Sequence, residues 1–287
     1  SLFSPHDVPG LYDAFGTESF DDLYTSYESD GSVPRKTIGA QELFLDILKE
    51  RAETGRLYIM NIDHCNSHSS FLDKVEMSNL CQEITLPTKP LEHIDDPNGE
   101  IALCILSAVN VGKIRDLDDL KVLCDLAVRS LDELIDFQNY PINAAEIATK
   151  ARRSLGIGFI GLAHYLAKHG HDYNDPGAWQ LVHNLTEAFQ YYLISATVDL
   201  AEEKGACEYS SRTKYGNGIL PIDTYKHDVD EIVANELNYD WENLRVRINT
   251  HGVRNSTLSA QMPSESSSVV SNATNGIEPP RGYLSIK

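Results

Sequence analysis

Ile101-Ala-Leu-Cys-Ile-Leu-Ser-Ala-Val109 is continuously apolar and follows the turn signal Pro97-Asn98-Gly99. Such a run is the pattern of a strand covered on both faces, as in a parallel sheet, and lacks the alternation of a strand with one wet face. Downstream, residues 116 to 138 place Leu117, Leu120, Cys124, Ala127, Leu131 and Leu134 on one helical stripe, with Asp residues in the first turn where they suit the helix dipole. Further helical patterns cover about 142 to 169, 176 to 204 and 228 to 237. Ser256 to Met262 alternates Leu258, Ala260 and Met262 against Thr257, Ser259 and Gln261, which predicts a second strand. Upstream, a helix from Thr37 carries Leu43, Ile47 and Leu48 to a stop at Thr54-Gly55, and Leu57-Tyr-Ile-Met-Asn-Ile62 reads as a buried strand. Residues 1 to 36, aromatic and acidic with many turn formers, are expected to pack onto other structure without forming a core alone. The class that results is helix-rich α/β, with no linker sharp enough to cut residues 1 to 287 into independent domains.

The chain has 287 residues with 24 Lys+Arg against 43 Asp+Glu, a formal charge of -19. A field this negative repels phosphate backbones and anionic headgroups, so binding to nucleic-acid polymers or docking on a membrane is not expected. No apolar stretch reaches the roughly 18 to 20 residues needed to cross a bilayer, and the N-terminus lacks a signal-peptide layout, which predicts a cytoplasmic protein. Five Cys with no C-x-x-C pair fit neither a disulfide framework nor a zinc ribbon. The chain opens Ser1-Leu2-Phe3 with no Met before Met60, so it reads as a piece of something longer.

Gly156-Ile-Gly-Phe-Ile-Gly161 is formally G-x-G-x-x-G, and a NAD(P)-dependent dehydrogenase would use it to hold a dinucleotide. That fingerprint needs a strand before it, whereas Ala148-Thr-Lys-Ala-Arg-Arg-Ser-Leu155 is polar and helical in pattern, and Asp175 lies beside Pro176 and not at a second strand's end. Glycines that let two helices approach closely are the favoured reading. The histidine groups, His64 and His68 around Cys65 and then His164, His169 and His171, lack further ligands at regular spacing, and no metal is expected. Cys124 belongs to the helix stripe, and no role is assigned to Cys65 or Cys207.

The polar, irregular stretch from 63 to 100 is long enough to suggest function. Within it lies Ser78-Asn-Leu-Cys-Gln-Glu-Ile84. If extended, it points Asn79, Cys81 and Glu83 the same way, placing an amide, a thiol and a carboxylate on one edge. A loop with an incidental Cys fits the spacing equally well. Cys104, inside the apolar run, reads as an inert small hydrophobe unless folding brings a second thiol alongside. Gln261-Met-Pro-Ser-Glu-Ser-Ser-Ser-Val-Val270 ends a strand at Pro263 and leads small polar residues into a helix start. That is either an anion site built from serine hydroxyls and free N–H groups without Lys or Arg, or an ordinary Ser cap.

Four segments together, Ser78 to Pro90, Asn98 to Cys104, Arg153 to Ala163 and Met262 to Ser268, resemble the large catalytic chain of class I ribonucleotide reductase, and Leu2 to Phe15 with Asn98-Gly-Glu100 points to the class Ia form. The resemblance runs end to end. It implies the second half of a ten-stranded α/β barrel in which a finger loop carries Cys81. It implies that Cys81 becomes the thiyl radical that removes the 3′ hydrogen of a ribonucleoside diphosphate. Asn79 and Glu83 hydrogen-bond the sugar, Glu83 acting as general base, and Cys104 is one half of the redox pair. Pro263, Ser264, Glu265, Ser266 and Ser267 hold the diphosphate.

The resemblance also implies partners. These are the missing N-terminal half and C-terminal tail of the large subunit, a second large subunit in a homodimer, and a diiron-tyrosyl small subunit that supplies the radical. Thioredoxin or glutaredoxin is the implied reductant, ATP and deoxynucleotide effectors bind outside this segment, and no cofactor is expected within it. The fragment is expected to be inactive alone, and a non-catalytic assembly module is the alternative of another class.

Overall fold

The computed structural model describes residues 1–234 and 236–283, which fall into two compact units, Ser1–Ser67 and His68–Lys287. In the first, β1 (Leu2–Phe3) pairs antiparallel with β2 (Arg35–Lys36) beside α1 (Ser19–Ser29). The opening segment closes an aromatic cluster of its own: Phe3 meets Tyr24 edge-on at 5.4 Å, Tyr24 stacks on Phe20 at 5.9 Å, and Val8 and Leu11 are buried. α2 (Ala40–Thr54) ends at Gly55, whose φ of 65° takes the left-handed stop and whose N–H reaches the Arg51 carbonyl. The expected strand at 57 to 62 does not form. Tyr58 and Ile59 are half exposed in irregular chain, and Ile62 already belongs to α3 (Ile62–His68), packed against Gly16. A six-residue apolar run is the pattern least able to distinguish a strand from other buried or half-buried chain.

The second unit is built on parallel strands. β3 (Ile105–Asn110) pairs with β4 (Leu155–Ile160) in register from Ile105↔Leu155 to Asn110↔Ile160. Residues 257 to 260 run parallel along the other edge of β4, with Leu155 N donating to Thr257 O and Ile157 N to Leu258 O. The predicted strand at Ser256 to Met262 is thus reduced to a short segment held to β4 by one parallel bridge, Ile157↔Ser259, and these backbone bonds. β3 is shorter than the apolar run, and Leu103 and Leu106 are exposed, so the run is not covered on both faces in this chain.

α4 (Leu117–Phe137) and α7 (Pro176–Lys204) cover one face of this sheet. Each starts with an aspartate cap, Asp116 accepting from Asp119 N and Asp175 from Gly177 N. Leu120, Cys124, Val128, Leu131 and Ile135 of α4 interleave with Leu185, Phe189 and Leu193 of α7 and with Leu155, Ile157 and Phe159 of β4. The buried stripe is rotated from the predicted one, leaving Leu134 45% exposed.

The helical pattern at 142 to 169 resolves into α5 (Asn143–Arg152), β4 and α6 (Leu162–Lys168). All six β4 residues are buried, so composition there carries no helical or strand alternation. Gly156 and Gly158 sit inside β4, Gly161 caps α6, and none separates two helices. A Cβ on Gly156 would lie 2.5 Å from Leu106 Cδ2, and one on Gly158 would lie 2.4 Å from the Ala260 carbonyl oxygen. α8 (Pro221–Thr224), α9 (Trp241–His251) and α10 (Glu265–Val270) complete the unit. The predicted helix at 228 to 237 is instead a 3₁₀ turn, His227–Glu231, and its residue 235 lies outside the described residues. Among the described residues no helix is long and apolar enough to cross a membrane.

Candidate active site

Chain reversal at Asn79 to Ile84 builds the first part of the site. Gln82 N donates to Asn79 O at 3.2 Å, Ile84 N to Asn79 Oδ1 at 3.3 Å, and Gln82 takes a φ of 62°. The segment is a tight turn closed by the Asn79 side chain, not the extended edge that a period of two requires. Cys81 and Leu80 are exposed at its tip, while Glu83 Oε2 is buried with no hydrogen-bond partner among the described residues.

The return leg is fastened by a reciprocal backbone pair, Lys89 N to Glu100 O and Glu100 N to Lys89 O, both 3.1 Å. Asp96 accepts from Glu92 N and Asn98 N, which fixes the Pro97-Asn98-Gly99 turn. From there the chain enters the β3 ladder just after Cys104. This thiol is half-buried, and burial, together with the Glu83 carboxylate, pushes it up to about 11. The Glu83 charge thus contributes to the field at the Cys104 thiol, although the turn does not align Asn79, Cys81 and Glu83 by alternation. At neutral pH Cys104 is a protonated thiol able to give up hydrogen, and Glu83 has an acceptor oxygen with no donor among the described residues.

Gly156 connects this pair to the rest of the sheet, since its missing Cβ would sit 3.8 Å from Cys104 Sγ. Gly158, on the same side of β4, leaves its space to Met262 Sδ at 3.0 Å. The two glycines thus leave room for Cys104 and Leu106 at one end and for Ala260 and Met262, the residue before Pro263, at the other. Beyond it, Ser264 is buried, and its carbonyl accepts from Ser268 N at 2.8 Å and Ser268 Oγ at 2.7 Å. Pro263, Glu265, Ser266 and Ser267 are exposed. A cavity of about 420 Å³ beside α10 is lined by Glu265, Ser268, Thr274, Asn275 and Arg281. Arg281 was not anticipated, because its sequence position lies well outside the serine run, and it places a cation near a segment read as lacking one.

The other candidates separate from this site. His68 Nδ1 meets the Thr224 carbonyl, His169 Nδ1 the Tyr165 carbonyl and His171 Nδ1 the Asp175 carboxylate at 2.5 Å. Cys124 is fully buried, its thiol pushed up to about 12 by burial, and buried Cys207 is pushed up to about 11. Gly156 and Gly158 lie within β4, which follows α5, and only Gly161 falls at the turn into α6, so the glycine-rich strand-to-helix loop that cradles a dinucleotide is not formed.

A family model described as "Ribonucleotide reductase, barrel domain" matches residues 1–287. The chain belongs to the ribonucleotide reductase barrel domain family. It is 59% identical to the ribonucleoside-diphosphate reductase subunit alpha of Haemophilus influenzae and 59% identical to the ribonucleoside-diphosphate reductase 1 subunit alpha of Escherichia coli. It is 44% identical to the ribonucleoside-diphosphate reductase subunit alpha of phage T4. All of the chain is covered in each case, and it spans 38 to 39% of these relatives' length. Membership in the reductase family thus extends over the four segments that carried the resemblance, including both cysteines and the serine loop.

Proposed function

We propose that this chain carries part of the active site of the large subunit of a class Ia ribonucleoside-diphosphate reductase, which converts ribonucleoside diphosphates to deoxyribonucleoside diphosphates for DNA precursor synthesis. The carrying observation is the match to the family over the whole chain, which covers the turn with Cys81 exposed at its tip and the half-buried Cys104 thiol. In this reading Cys81, as a thiyl, takes the hydrogen from the 3′ carbon. Glu83 accepts the 3′-hydroxyl proton, and Asn79, whose Oδ1 closes the turn, turns its amide Nδ2 donor to the sugar. Cys104 gives hydrogen as one of two thiols that end as a disulfide. Pro263, Ser264, Glu265, Ser266 and Ser267 receive the diphosphate.

The turn at 79 to 84 is the tip of the finger loop, and β3, β4 and residues 257 to 260 are consecutive staves of the ten-stranded barrel. Support for the missing staves comes from β3, which pairs with β4 on one side in its two-stranded sheet. Exposed Leu103 and Leu106, and a groove of about 280 Å³ lined by Ala108, Leu123 and Leu126, offer apolar surface along the β3–α4 side. The N-terminal half and C-terminal tail of the large subunit complete the site there, within a large-subunit homodimer. The radical reaches Cys81 from the diiron-tyrosyl small subunit, thioredoxin or glutaredoxin restores the dithiol, and ATP and deoxynucleotide effectors bind outside this segment. Five free cysteines suit a cytoplasmic, reducing compartment.

The test is Cys104→Ser in a full-length large subunit supplied with its small subunit. At most a single defective turnover is expected, and sustained turnover would remove Cys104 from the redox pair.

A further inference from the structure

Between the Cys81 turn and the body of the barrel segment lies a buried ionic cluster that the chemistry above does not use. Arg152, the last residue of α5, is 2% exposed, and its guanidinium splits between two carboxylates. Nε and Nη2 donate to Glu100 Oε2 at 3.0 and 2.8 Å, and Nη1 donates to Asp73 Oδ2 at 2.9 Å. Asp73 is on the leg that enters the Cys81 turn, and Glu100 is on the leg that leaves it toward Cys104. Each carboxylate has a second cation: Arg212 Nη2 lies 2.8 Å from Asp73 Oδ2, and Lys89 Nζ lies 2.8 Å from Glu100 Oε1. Tyr209 stacks under both guanidinium groups, 5.0 Å from Arg152 and 4.0 Å from Arg212.

The backbone of Arg152 reaches the third part of the site. Its carbonyl accepts from Ser256 N at 2.9 Å, at the start of the strand that leads to the serine loop. One residue therefore ties both legs of the turn, the root of β4 and the serine strand together. We propose that Arg152, anchored by Glu100 and Asp73, is a positioning residue that holds the Cys81 turn against Cys104 and the serine strand. The proposal rests on the assignment of Cys81, Glu83 and Cys104 as the reacting groups.

A buried Arg–carboxylate fork suits this task better than apolar packing does. Its bonds are directional, so a rotation or slip of either leg breaks them, and the buried charges left behind make the slipped arrangement costly. Apolar contacts would tolerate a slide of an ångström, which is enough to matter for hydrogen transfer between sulfur and carbon.

The experiment uses the full-length large subunit with its small subunit and compares Arg152→Met, Arg152→Lys and Glu100→Gln. Turnover is normalised to folded subunit. The expected result for Arg152→Met is a kcat about 10- to 100-fold lower, with KM for the ribonucleoside diphosphate changed by less than about two-fold, because geometry at the reacting atoms is lost while the diphosphate contacts stay. Arg152→Lys, which keeps the charge but not the fork, falls between.

A purely structural role predicts less folded subunit with kcat unchanged, and that result in Arg152→Met overturns the proposal. If Arg152→Met does not fold, Glu100→Gln decides by the same two readings. Cys81→Ser is run in parallel. Should it retain turnover, the assignment beneath the proposal fails. Should it be inactive while folded Arg152→Met turns over normally, the positioning role alone fails.

Discussion

The Cys104 thiol and the Glu83 carboxylate carry much of the chemistry proposed for this chain. Burial and the Glu83 charge both keep Cys104 protonated, so Glu83→Gln should lower its apparent pKa from about 11, because one of the two causes is removed. The pH dependence of Cys104 alkylation, followed by peptide mapping, reads this directly, and an unchanged profile would show that Glu83 does not face the thiol. The linked effect on stability follows in sign. A thiol raised from 9.0 to about 11 in the folded state favours folding fully below pH 9, and that contribution is lost as pH rises toward 11. Cys104 and Glu83 were legible in the sequence as residue types, but their encounter was not. It depends on Gln82 adopting a φ of 62° and on Asn79 closing the turn, neither of which leaves a mark on hydrophobic periodicity.

At the scale of elements, two ionic clusters, each centred on a buried arginine, fasten α5 and its junction with β4 to their neighbours. Arg153 reaches Asp132 Oδ1 at 2.6 Å and Asp136 at 2.8 Å, while Asn255 Nδ2 donates to Asp132 Oδ1 at 3.1 Å, so α4 is tied to the α5–β4 junction. Removing the fully buried Asp132 leaves Arg153 and Arg254 short of a partner, and Asp132→Ala should cost about 3 to 5 kcal/mol in denaturant unfolding. A loss under about 1 kcal/mol would mean that the cluster does not hold the helix. In the other cluster, burial tends to raise Asp73 and Glu100, but the Arg212, Arg152 and Lys89 contacts outweigh it and hold both below the usual range. Their contribution is therefore complete above the ordinary values of 3.8 and 4.5 and is lost as pH falls through the lower folded-state values. The stability gap between the native chain and Arg152→Met should accordingly narrow below about pH 4, and a gap that stays constant would contradict the ion-pair assignment.

Helices of this size were readable in advance where caps bounded them. α7 runs from the Asp175-Pro176 start to the Gly205 stop over the predicted residues, and α4 differs from its expectation by a residue at each end. β4 was hidden because Gly156 and Gly158 leave one face with a side chain only at Ile160. Alternation had nothing polar to register, and only the closeness of Leu106 and Ala260 explains why glycine is needed. Neither ionic cluster was visible either, since Asp73, Glu100, Arg152 and Arg212 are far apart in sequence and each reads singly as a solvated charge.

Over the whole molecule, the charge of -19 means that the proposed diphosphate site at the serine loop would rely on local dipoles and a few side chains. The apolar surface along β3 and α4 fits a partner that completes the barrel. The chain alone should form no deoxyribonucleotide, and mixing it with the remainder of the large subunit and the small subunit should restore turnover. Association without activity would favour an assembly module over a catalytic half. In the proposed reaction Cys81 takes the hydrogen from the ribose, and Cys81→Ser in the full-length large subunit with its small subunit puts that role to the test. Loss of deoxyribonucleoside diphosphate formation, with ribonucleoside diphosphate binding retained, is the predicted result. Deoxynucleotide formation that survives the substitution would contradict it.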